Sequence, residues 1–129
     1  MNIKKHIDYW VATAAHDLPV AESLFESGHY DWCLFIGHLV LEKMLKAHFV
    51  KDNNKEPPKI HDLLILAKST KLSLTKEQEE FLSRATDFNI ETRYPKDKFK
   101  FYKTATKKFT AENFAKIKET YQWLKSQLN

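Results

Sequence analysis

Two glycines and four prolines in 129 residues are too few for an all-β chain, which spends both on a turn every ten residues or so. The single cysteine, Cys33, excludes an intrachain disulfide and a Cys-x-x-Cys metal site. Inside the apolar run WCLFIG it reads as a small buried hydrophobe, and a reducing, cytoplasmic setting is the natural expectation. No segment approaches the roughly 20 apolar residues that span a bilayer. The opening MNIKKHIDYW lacks the apolar run of a signal peptide, so neither a membrane nor a leader is expected. The six histidines form no HExxH or other recognised metal pair, neither glycine has a partner for a phosphate loop, and no Ser-His-Asp or Cys-His grouping is readable. No metal or cofactor is therefore expected. Arginine is also scarce: Arg84 and Arg93 stand among nineteen lysines.

What is present favours helix. Hydrophobic residues make up 43% of the chain, enough for one packed core, and Leu, Lys, Glu and Ala are abundant. Ile7, Val11, Ala14, Leu18, Ala21 and Phe25 keep one face apolar, so a first helix is expected from Ile3 to Ser27, kinked at Pro19 and closed by Gly28. Asp31 is the candidate N-cap of a second helix from Trp32 to Lys51, and so short a connection predicts an antiparallel hairpin. This second helix is apolar most of the way round, which places it at the centre of a bundle or in a dimer interface. Gly37 within it asks for close approach of a neighbour. DNNKEPPK reads as a loop, and His61 or Asp62 opens a short helix through DLLILAKS. Thr75 with Gln78 forms a capping box that starts a helix to about Glu91. The lysine-rich segment after Pro95 reads as loop with at most a helical turn. A last helix begins near Thr110, with Phe114, Ile117, Tyr121, Leu124 and Leu128 as its stripe. The expected fold is all-α, an up-and-down bundle of about five helices led by two long antiparallel ones, in one domain over residues 1–129.

Charge is unevenly placed. From Arg93 to Lys108, seven cations face Asp97 alone, a local charge of +6 that leaves −2 for the remainder of a chain with net charge +4. Such a patch attracts phosphates or acidic partners. Arg93-Tyr94-Pro95 sits where the fourth helix gives out; the guanidinium fork suits carboxylate or phosphate, and Tyr94 adds a ring and a hydroxyl. Arg93 can be a structural clip on Asp17 or Glu42, or a ligand contact. Along the second helix His38, Glu42 and Lys46 form one polar row, flanked by Lys43. The row reads either as a solvated stripe or as a groove in which Lys46 meets a phosphate while Glu42 holds it. Asp17 is either exposed or bonded across the bundle by Lys43, Lys46 or Arg93. His61 is free to face a pocket, whereas Asp62 reads as a cap. In KDKFKFYKTATKK, lysines interleave with Phe99, Phe101 and Tyr102, a pattern that suits single-stranded nucleic acid. Packing of at least two of these rings into the protein is the favoured reading.

The segments AHDLPVAESLFESGHYDWCLFIGHLVLEKMLKAHF, PKIHDLL and TDFNIETRYP together resemble the HEPN (higher eukaryotes and prokaryotes nucleotide-binding) domain family. The resemblance covers roughly Tyr9 to Pro95. It implies a small helical bundle, often a homodimer, without an obligatory metal, frequently encoded beside a minimal nucleotidyltransferase in a toxin–antitoxin-like two-gene module. Several branches are ribonucleases carrying an arginine followed four to six residues later by histidine. Here no histidine follows His61, so neither Arg84 nor Arg93 can form that motif. The chain is instead similar to the subgroup ending in RYP, for which nucleotide or polynucleotide binding is proposed. By motif match the positions implied are Asp17, Glu42, Lys43, Lys46, His61, Arg93 and Tyr94. The leading expectation is a non-catalytic binder of a nucleotide, RNA or a nucleotidyltransferase partner. The alternatives are a divergent metal-independent ribonuclease using His61 with Arg93, and a homodimeric interaction module without nucleotide ligand.

Overall fold

The structure is a computed structural model that describes residues 1–128. Among these described residues the regular structure is all helical, in six helices: α1 (Ile3–Glu26), α2 (Tyr30–Asn53), α3 (Leu63–Lys68), α4 (Lys76–Thr86), α5 (Pro95–Thr104) and α6 (Lys107–Ser126). The Asn2 side chain accepts from the Lys5 amide at 3.0 Å to open α1, which runs unbroken through Pro19. Gly28, at φ 81°, supplies the left-handed residue that turns the chain back. The N-cap of α2 is His29, not Asp31. Asp31 lies in the first turn, where a negative charge complements the helix dipole.

α2 is the axis of the molecule. It packs against α1 along its length and also against α3, α4, α5 and α6. Fifteen of its residues are buried, and the core around it draws on all six helices. Gly37 lets α6 approach: a methyl group there would stand 2.7 Å from Ile117 Cδ1. Cys33 is fully buried, and burial, with Glu22 adding to it, pushes its thiol up to about 12. His48 is buried at the far end of α2, where its Nε2 donates to the Leu124 carbonyl at 2.8 Å and so ties α2 to α6.

The second half of the chain departs from expectation in three places. The Thr75–Gln78 capping box opens α4 as foreseen, but the helix ends at Thr86 rather than Glu91. Phe88 and Ile90 are both buried. Two residues apart on a helix they would point about 200° from each other, so the chain must leave the helix to bury both. Pro95, read as a stop, instead opens α5: its fixed φ suits the first helical position, and an amide there would have no partner in any case. The lysine-rich segment is thus a ten-residue helix and not a loop, which brings the helix count to six. Finally, Thr106 caps α6 by accepting from the Phe109 amide at 3.2 Å, so that helix begins at Lys107 rather than near Thr110.

Candidate functional site

The positions implied by the sequence fall into three groups. The first is the polar row of α2, which is neither a solvated stripe nor an open groove. His38 is 0% exposed, Glu42 5% and Lys46 8%. Glu42 is the hub. Its Oε1 accepts from His61 Nδ1 at 2.8 Å and lies 3.3 Å from His38 Nε2, while its Oε2 accepts from Lys46 Nζ at 3.0 Å. The other ring nitrogen of His38 donates to the Ala85 carbonyl at 3.1 Å, at the end of α4. Lys46 Nζ also lies 5.3 Å from the centroid of the Trp10 ring of α1. The row is covered because α1, α4 and the loop before α3 close over it, a packing that helical spacing within α2 does not reveal.

Burial alone would raise the Glu42 carboxyl. The hydrogen bonds from His38, His61 and Lys46 outweigh it and hold the group at about 2, against an ordinary 4.5. The cluster therefore holds a buried carboxylate already saturated by protein donors. His61 is its one open member, with a side chain 54% exposed. A histidine oriented by a carboxylate can move protons, but among the described residues no hydroxyl or thiol is hydrogen-bonded to it.

The second group is Asp17 with Lys43, whose Nζ donates to Asp17 Oδ2 at 2.5 Å across the α1–α2 hairpin. His16 Nδ1 lies 3.0 Å from the other oxygen. Burial raises the Asp17 carboxyl, yet these two partners bring it below the ordinary carboxylate range. This pair fastens the hairpin.

The third group is Arg93, which meets neither Asp17 nor Glu42. Its guanidinium donates to the Asp87 carbonyl and stacks on Phe101, 4.8 Å from the ring centroid. Both contacts are local, because the turn after α4 folds back beneath α5. Arg93 lines a cavity together with Arg84 and Lys100. Arg84 was not singled out from the sequence. The signal for it is the scarcity of arginine itself: both arginines of the chain line this one cavity.

Alongside lies the exposed face of α5. Lys96, Lys98, Lys100 and Lys103 are all exposed. Of the rings, only Phe101 is buried; Phe99 (57% exposed) and Tyr102 (59%) are outside, contrary to the packing expected of them, and Tyr94 (78%) stands beside them at the N-cap. Phe99 and Tyr102 stack on each other with centroids 5.9 Å apart, and Lys103 Nζ lies 4.8 Å from the Phe99 centroid. One helix cannot bury i, i+2 and i+3 together when it touches the core along a single line.

A long helical hairpin with its second helix buried among four shorter partners is the class that this architecture defines, and it carries a cationic, aromatic outer helix. The HEPN domain profile matches residues 7–127, and the chain belongs to the HEPN domain family. Its fold is similar to that in the crystal structure of TT1696 from Thermus thermophilus, with a TM-score of 0.80 and 19% identity over 98% of each chain. At that identity the likeness is one of fold. A comparison with curated proteins finds no significant match. No helix among the described residues is long and apolar enough to cross a membrane.

Proposed function

We propose that this HEPN-domain protein is a non-catalytic binder of nucleotides or single-stranded RNA, and that the outer face of α5 is its contact surface. The observation that carries this reading is the exposure of Tyr94, Phe99 and Tyr102 among Lys96, Lys98, Lys100 and Lys103. Rings left in water beside cations offer bases a stacking surface and phosphates a counter-charge, the two ingredients of sequence-tolerant single-strand binding. A non-catalytic role is supported by the missing arginine–histidine ribonuclease spacing. It is supported again by the neighbours of His61 and Arg93, which are Glu42 for the one and Asp87 with Phe101 for the other.

Fluorescence anisotropy with a labelled single-stranded RNA tests the reading. Phe99→Ala with Tyr102→Ala should weaken binding about tenfold or more. Lys98→Gln with Lys103→Gln should flatten the dependence of log affinity on log salt by about 1.4. All four side chains are exposed, so the fold survives either pair. Equal affinity for wild type and both variants would remove α5 as the contact surface. An RNA-inert protein that forms a stable complex with a co-expressed minimal nucleotidyltransferase would assign the surface to a protein partner.

A further inference from the structure

We propose that the cavity between the end of α4 and α5 is a receptor for a phosphate monoester, the terminal phosphate of an RNA end or of a nucleotide. This rests on the nucleic-acid reading of α5 and adds to it a preference for one chemical end. The cavity has a volume of about 240 Å³, and Arg84, Arg93, Lys100 and Asp87 contribute its charged lining. That volume lies below the range for a whole drug-sized ligand, and it suits the end of a chain whose remainder runs over the surface.

The charges are unspent. Among the described residues none of the three cations has a carboxylate oxygen within 4.0 Å. Arg84 has only a long contact, 3.5 Å, to the Asn113 side-chain oxygen and a stacking approach to Phe81. Arg93 spends one donor on the Asp87 carbonyl, and its Nε has no acceptor in the protein. Among the described residues three cations are not exposed: Lys43 and Lys46 are paired with Asp17 and Glu42, whereas Arg93 has no carboxylate partner. Three cations against the exposed Asp87 carboxylate leave the cavity with a side-chain charge of +2. A terminal phosphate above its second ionisation carries a matching dianion, whereas each internal phosphodiester carries a single charge. Two guanidinium groups present flat donor forks that suit phosphate oxygens better than lysine does. Stacking on Phe101 holds the Arg93 plane in place before any ligand arrives. The wall around Arg93 is aromatic, with Phe88 beside Phe101 at 5.9 Å between centroids. That wall shields one side of the Arg93 guanidinium from solvent and strengthens its attraction there.

The test uses the full chain and four RNA decamers of one sequence, carrying a 5′-phosphate, a 5′-hydroxyl, a 3′-phosphate or a 3′-hydroxyl, each labelled at the opposite end. Calorimetry with adenosine monophosphate and adenosine separates a free nucleotide from a chain end. The expected result is a preference of about tenfold or more for one phosphorylated end over its hydroxyl counterpart. That preference should fade as pH falls through about 6, where the phosphate loses its second charge. Arg84→Gln, at an exposed position on α4 outside the α5 surface, should abolish the preference while hydroxyl-ended RNA still binds. Wild-type protein that binds phosphorylated and hydroxyl ends alike overturns the cavity proposal and leaves the α5 surface standing. So does a preference that survives this substitution. Wild-type protein that binds none of the six ligands overturns both.

Discussion

Replacing Glu42 by glutamine removes one charge from the centre of the bundle with almost no change of shape. The buried carboxylate sits at about 2 instead of 4.5, held there by His38, His61 and Lys46. At 1.36 kcal/mol per unit the gap corresponds to about 3 kcal/mol of stability that depends on the carboxylate charge. Part of the His61 contribution is screened, since that side chain is more than half exposed, but Lys46 and His38 are not. Glutamine would also leave the Lys46 ammonium buried without a counter-charge, a loss of the same order. Because the folded value is depressed, the contribution is complete above pH 4.5 and disappears as pH falls through 2. Urea unfolding of wild type and Glu42→Gln reads this directly. At pH 7 the variant should be less stable by about 3 kcal/mol, a large share of the 5–15 kcal/mol typical of a domain yet not enough to unfold it. At pH 3 the difference should shrink to about half of that or less. Equal stability at pH 7, or a difference that acidification does not narrow, would refute the buried hub.

Two further predictions concern the axis of the bundle. Gly37→Ala gains about 1 kcal/mol of helix propensity but drives a methyl group to 2.7 Å from Ile117 Cδ1. The substitution should therefore be better tolerated in an Ile117→Val background than in the wild type, a coupling visible in a double-mutant cycle of denaturation midpoints. Burial holds the His48 imidazole below its ordinary 6.5, so its share of stability is complete above that pH and is lost as pH falls below it. Wild type should lose stability relative to His48→Gln between pH 7 and pH 5.5 in thermal unfolding, and parallel curves would contradict this.

Much of the scaffold was legible because it is local. The stripe Phe114, Ile117, Tyr121, Leu124 and the capping box of Thr75 are properties of single helices, and the Gly28 turn needs only the residues beside it. The candidate site is different. Whether Glu42 faces water depends on α1, α4 and the His61 loop, none of which lies near it in sequence. Pro95 misled for a related reason: a proline ends one helix and begins another with equal ease, and the burial of Phe101 decides between them. Arg93 stands out by composition alone, but its neighbours, Asp87 and Phe101, come from the turn and helix on either side of it, not from the second helix. Asp17 and Lys43 show the favourable case, since an antiparallel hairpin with a short turn brings such pairs together by register alone.

The proposed function stands on one spatial division, between a saturated carboxylate hub that holds the bundle together and an unpaired cationic, aromatic surface on α5 that we assign to nucleic acid. Amide chemical-shift mapping with a short single-stranded RNA tests that division most directly. Shifts concentrated from Arg93 to Lys103, with Arg84, and saturating with added RNA are the predicted result. Shifts centred on Glu42, Lys46 and His61 with α5 unmoved, or none anywhere, would contradict it.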